Sequence, residues 1–338
     1  MVIIMYNRYV RGDIMDNFIF AFNALAPLLL LAAIGMILRN TKMINQIFVN
    51  QLNGFIFTIA LPVMIFVTLA TAEDLSNIDF SVLLFVTLII LVIFFIGYFI
   101  LKKSHFLHSH KPVLLQNIFR GNFVIIGMPL ALRLGGQEAL AVLVILNAFM
   151  VPLTNLLSFL SFRIFKKENT ESERIIKLLG RTFFNPIMIA VYLGLIVYLM
   201  NGVYETLTST ITILPETLDM LAGTVTPMAL IAIGAQFKFN RVKELRKPII
   251  FGVVSRMIVV PLFGFISAYL LRNIIDFSAS WVSLIALFAS PVALASVAVT
   301  KGMDGDDELA SQLVIIGTAF SMISLFFVIV IFRAIGLL

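Results

Sequence analysis

The sequence predicts an all-α integral membrane protein of ten transmembrane helices, built as two inverted repeats of five in which helices 4 and 9 are broken. Three observations lead there. Of the 338 residues, 61% are hydrophobic and 12% charged, with a mean hydropathy of +1.07, a composition that a soluble domain of this length would not tolerate. The apolar residues fall into ten runs of roughly 18 to 26, each long enough to cross a bilayer. Prolines recur between the first five runs and the last five at a nearly constant offset: Pro27 and Pro186 are 159 apart, Pro62 and Pro227 165, Pro129 and Pro291 162.

Taken in order, the runs are 17–38, 46–71, 79–101, 113–134, 138–162, 182–200, 211–236, 248–271, 280–300 and 309–334. Residues 1–16 form an N-terminal extension without the long apolar core and small-residue cleavage pattern of a signal peptide. Met15 is a second plausible start, which would make residues 1–14 an artefact of start assignment. The first repeat covers 17–162, the polar loop 163–181 separates the halves, and the second repeat covers 182–338. With the N-terminus outside, the inner loops hold 17 lysines and arginines and the outer segments five. The positive-inside rule therefore places both termini outside and the loop 163–181 in the cytoplasm of a multi-pass cell-membrane protein. Because each repeat has an odd number of spans, equivalent helices run in opposite directions, an arrangement that places broken helices and a ligand near the midplane.

Span 4 carries Asn122-Phe-Val-Ile-Ile-Gly127-Met128-Pro129, and span 9 carries Ala289-Ser290-Pro291. Glycine lets the chain leave helical geometry and proline removes a donor, so the break is expected near Gly127–Pro129 and again near Pro291. Proline would start each second half-helix. Two half-helix N-termini would then face inward, each with about half a positive charge and free N–H groups, suited to a carboxylate or another anion. Asn122 would add amide donors and Ser290 a hydroxyl. Pro62 and Pro227 read mainly as packing kinks. Asn147 and Asn155 are eight apart on span 5, so they share a face and either line the cavity or bind spans together. Arg256 and Arg120, about nine residues into spans 8 and 4, are read as anion attractors at the inner mouth or as partners of a helix C-terminus.

What is absent narrows the chemistry. There is no cysteine, so thiolate chemistry and disulfides are excluded. No carboxylate lies beside the breaks in spans 4 and 9, which counts against a paired-aspartate proton relay. No His-Glu-x-x-His or Gly-x-Ser-x-Gly occurs, so no enzymatic activity is expected, and no cofactor or metal is assigned. His105, His108 and His110 read as part of a solvated basic loop rather than a metal site. The net charge of +6 is spread over short loops and reports orientation, not nucleic acid.

The run 122–129 resembles the Asn-x-x-x-x-Gly-x-Pro motif of the auxin efflux carrier family, which includes bacterial malate and malonate permeases and the plant PIN carriers. The likeness continues through Phe-Asn-Pro at 184–186, Thr-Pro-Met-Ala-Leu-Ile-Ala-Ile-Gly at 226–234, Ser-Arg-Met-Ile-Val-Val-Pro at 255–261, and Ser-Pro-Val-Ala-Leu-Ala with Ala-Val-Thr-Lys-Gly-Met-Asp-Gly-Asp within 290–306. The resemblance implies helices 4 and 9 crossing at their prolines, and one helix group carrying substrate past a scaffold in an elevator-like movement. It matches Asn122, Gly127 and Pro129 to the helix 4 crossing, Pro291 to that of helix 9, and Arg256 to a basic position in helix 8. The middle loop is shorter than in the plant carriers, so a prokaryotic permease is the better match. The resulting expectation is a permease for a small organic anion, a mono- or dicarboxylate, working by alternating access with the lipid bilayer around it. Sodium or proton coupling and a homodimer are compatible with it. The alternatives are a sodium-coupled carrier of a neutral or bile-acid-like solute, or a membrane receptor that does not transport.

Overall fold

The computed structural model of the chain describes residues 2–72, 80–165, 184–200, 204, 212–236 and 244–338, with side chains from Met15 onward. The first helix, α1 (Val2–Asn40), runs unbroken through Pro27. Proline leaves the carbonyl four residues earlier without its helical donor, and Arg133 Nη2 donates to the freed Asn23 carbonyl at 3.1 Å. Asn45 then caps α2 (Gln46–Ala70) by accepting from Phe48 N–H at 2.8 Å.

After α3 (Phe80–Lys103) comes a short helix, α4 (His110–Phe119), followed by α5 (Phe123–Phe165). Helix α5 folds back on itself at Gly135 and Gly136, the latter at φ 66° and ψ −158°, a conformation that side chains with a Cβ avoid. The remaining helices are α6 (Pro186–Leu199), α7 (Ile213–Gly234), α8 (Arg246–Leu271), α9 (Trp281–Phe288), α10 (Ala295–Gly302) and α11 (Asp307–Ala334). Seven of the described helices are long and apolar enough to cross a membrane. Of the ten expected runs, 113–134 is divided between α4 and α5, 138–162 continues within α5, 280–300 is divided between α9 and α10, and α6 covers 14 residues. Among the described residues there is no strand, only one isolated backbone bridge between Gly121 and Val292. Most of the loop expected at 163–181, and the start of span 6, lie outside the described residues.

Three π turns interrupt these helices, at Ile56–Ala60, Phe123–Gly127 and Ser255–Val259. Each ends two residues before a proline: Pro62, Pro129 and Pro261. An added residue in the turn moves the carbonyls that the proline ring would strike and cannot serve, so the helix continues past the proline without a full break. At Pro227 the adjustment differs. Helix α7 is pinched at Thr224, whose N–H bonds back to Leu221 O at 3.1 Å.

One kind of helix crossing occurs twice between the two halves of the chain. A Cβ on Gly35 of α1 would overlap the Ile231 carbonyl of α7, and one on Gly194 of α6 would lie 3.2 Å from the Phe66 carbonyl of α2. Gly35 and Gly194 are 159 positions apart, and Phe66 and Ile231 are 165 apart. These are the offsets of Pro27/Pro186 and Pro62/Pro227. Small residues let the backbones approach here, as helix packing without a hydrophobic driving force requires. Outward-facing Phe22, Leu30, Leu88, Phe95, Leu262, Leu270 and Phe327 are exposed, as expected of a surface solvated by lipid tails.

Candidate functional site

The site forms where α4 and α9 stop. Helix α4 ends at Phe119, and Arg120 (φ −95°, ψ 95°) leads into an extended stretch through Gly121 to Asn122. Helix α9 ends at Phe288, and the chain does not resume helix until Ala295. The two extended stretches lie antiparallel: Asn122 N–H donates to Pro291 O at 2.6 Å, and Ala293 N–H to Arg120 O at 3.1 Å. These bonds satisfy backbone groups that a membrane interior would otherwise leave without partners.

The crossing therefore runs through 120–122 and 291–293. It does not run through Pro129, and neither proline starts a half-helix. Pro129 sits beyond the π turn inside α5, while Pro291 lies in the extended stretch itself. The local two-fold passes through Gly121 and Val292, 171 positions apart, instead of the 162 that separate the prolines. Gly127 and Met128 are buried in α5, and a Cβ on Gly127 would meet the Ala286 carbonyl of α9 at 3.3 Å. Their place in the fold is close packing of α5 on α9.

Arg256 holds the crossing from behind. It is 2% exposed. Its Nε donates to Ser290 O at 2.9 Å, Nη1 to Ile118 O at 3.2 Å, and Nη2 to Leu287 O at 3.0 Å. Ile118 and Leu287 belong to the last turns of α4 and α9, so one guanidinium answers the open carbonyls and negative ends of both half-helices. The hydroxyl of Ser290 is 0% exposed and bonds to Leu287 O at 3.4 Å. Of the two readings of Arg256, the structure has it capping helix C-termini. Gly121 is required beside it, since a Cβ there would overlap the guanidinium. Arg120 points elsewhere, donating to Asn155 Oδ1 at 2.6 Å and Ser158 Oγ at 3.1 Å, and so ties the crossing to the later part of α5.

A cavity of about 700 Å³ opens on the other side of the crossing. Asn122 and Leu294 line it, which are the residues immediately preceding the helical starts of α5 and α10. Its polar wall is completed by Gln46 and Asn53 of α2, Gln236 beyond α7, and Gln312 and Thr318 of α11; Lys301, Asp307 and Glu308 also line it. Asn122 Oδ1 accepts from Ile125 N–H at 3.3 Å as the helix cap. The amide nitrogen is left: Asn122 Nδ2 and Thr318 Oγ1 are buried and have no hydrogen-bond partner among the described residues. A buried donor without a partner costs about 1–3 kcal/mol, and a bound acceptor removes that cost.

Residues 20–329 match the family described as membrane transport protein. The chain belongs to this family, the auxin efflux carriers. No curated protein matches it. This auxin efflux carrier family member is a multi-pass membrane transporter.

Of the residues singled out in the sequence, the structure brings Asn122, Pro291, Ser290, Arg256 and Arg120 to the crossing, and only Asn122 of these lines the cavity. Asn147 is 5% exposed, with both amide atoms unpartnered among the described residues. Gln46, Asn53, Gln236 and Lys301 were missed because isolated polar residues at span ends look like ordinary interfacial residues. Gln116 and Asn117 were missed too; they bond to Ser296 O and Gly252 O at 3.0 and 2.8 Å and hold α4 against α10 and α8. His110, expected in a solvated loop, is 9% exposed and its Nε2 lies 3.2 Å from Asp306 Oδ2. Asp306 also caps α11 through Leu309 N–H at 2.9 Å.

Proposed function

We propose that this transporter moves a small organic anion, a mono- or dicarboxylate of the malate and malonate type, by alternating access. The observation that carries this is Asn122: it lines the cavity beside two half-helix N-termini, its oxygen is used by the helix cap, and its amide nitrogen is a buried donor without a partner among the described residues. Donors and the positive ends of helix dipoles suit a carboxylate's oxygens, whereas a cation would want the oxygen. The repeated Gly35 and Gly194 crossings support ten helices in two inverted repeats, with α1, α2, α6 and α7 as scaffold and the crossing carried between its two faces. The lysine and arginine bias supports outer termini and an inward-facing cavity.

Counterflow in proteoliposomes tests the function. Vesicles loaded with a C3–C4 dicarboxylate will accumulate the labelled acid above equilibrium, with and without a sodium gradient. A binding protein that does not transport gives no counterflow at all.

Asn147 and Thr318 are 171 positions apart, the offset of the crossing's two-fold. We read Asn147 as the counterpart that takes the role of Thr318 when the cavity opens to the other side. The chain has no native cysteine, so single cysteines report access directly. Thr318→Cys will react with an impermeant maleimide applied from the inside and Asn147→Cys from the outside. Labelling of both from the same side only would sink the alternating-access reading.

A further inference from the structure

Away from the crossing, a second cavity of about 540 Å³ lies between α3, the start of α4 and the end of α5, lined by Tyr98, Lys102, His108, Lys111, Ile164 and Phe165. We propose that it binds the phosphate of an anionic phospholipid, with an acyl chain laid along the exposed face of α3.

Its chemistry is one-sided. Among the described residues two lysines and a histidine line it, no carboxylate does, and neither Lys102 nor Lys111 forms an ion pair. Lys111 is 6% exposed, yet among the described residues its ammonium makes a single long bond, to Lys102 O at 3.4 Å. An ammonium has three donors, and burying it under-served is costly unless an anion completes its shell. Phosphate oxygens do that, and two ammonium groups around one anion are the recurrent form of a basic headgroup pocket between membrane helices.

The position selects a lipid as the source. Lys102 lies in the last turn of α3, where the apolar run ends and where phosphate groups sit at the membrane boundary. One and two turns deeper on that helix, Phe99 and Phe95 are 57% and 54% exposed, forming with Lys102 a stripe with its cation at the interface. Tyr98 and Phe165 pack at 5.7 Å between ring centroids, and the Lys102 ammonium lies 5.7 Å from the Tyr98 ring. The lining offers two ammonium groups and a histidine for a phosphate and, among the described residues, no carboxylate for a choline cation, so an anionic headgroup fits better than a zwitterionic one.

The test is thermal unfolding of the purified full-length protein in mixed micelles containing phosphatidylglycerol, phosphatidylcholine, or no lipid with inorganic phosphate instead. Phosphatidylglycerol should raise the midpoint by about 4 °C or more at saturation, and the other two should not. Lys102→Gln should raise the half-saturating phosphatidylglycerol content about tenfold, and a further Lys111→Gln should remove the shift, while Lys42→Gln on an exposed turn leaves it intact. If the double variant does not fold, the Lys102→Gln titration decides alone. Equal shifts with phosphatidylcholine or with inorganic phosphate, or a phosphatidylglycerol response unchanged in Lys102→Gln, would overturn the proposal.

Discussion

Arg256→Leu will leave little folded protein. The side chain serves Ser290 O, Ile118 O and Leu287 O at once, and at 2% exposure no water replaces it. Each orphaned buried acceptor costs about 1–3 kcal/mol, so the total of roughly 3–9 kcal/mol rivals the whole stability of a typical domain, about 5–15 kcal/mol. The loss falls where α4, α8 and α9 meet, so the crossing itself comes apart. Arg256→Lys keeps the charge but offers donors from one point rather than a planar fork, and should give an intermediate midpoint. Size-exclusion profiles and unfolding midpoints in detergent read both. A native-like midpoint for Arg256→Leu, with only substrate affinity reduced, would make Arg256 an anion attractor and refute its structural role.

Asn122→Asp is the sharpest test of the cavity. Aspartate is as good a helix cap as asparagine, and its negative charge suits an N-terminus, so stability should be unchanged or slightly raised. The unpartnered amide donor becomes a carboxylate oxygen. At about 4 Å and an effective dielectric of about 20, like charges repel by roughly 4 kcal/mol, about a thousandfold in apparent affinity. Dicarboxylate counterflow should vanish while the protein still inserts and purifies as before. Counterflow at the native rate would remove Asn122 from the substrate path.

The same two residues show how far the sequence could be read. Asn122 was legible because a polar side chain beside a glycine and a proline in a long apolar run has few roles in lipid. Arg256 was legible as important but not in its role. An arginine nine residues inside a span can face an anion or a helix end, and only the positions of Ile118 and Leu287, 138 and 31 residues away in the chain, separate the two. The prolines misplaced the crossing for a related reason. A proline tells where helical bonding must change, but a π turn absorbs that change locally at Pro62, Pro129 and Pro261. The chain opens instead where it finds another extended segment to bond with.

By itself, then, the sequence determined the solvent this protein folds in, its long apolar helices, and the region of the break, because hydropathy and the backbone chemistry of proline and glycine act over one or two turns. The tertiary structure alone decided that 120–122 pairs with 291–293, that Arg256 and Ser290 lock the crossing from behind, and that Asn122 and Thr318 share a cavity. Those depend on partners 31 or more residues apart in sequence, whose hydrogen-bonding needs are met only when both half-helices end at the same place.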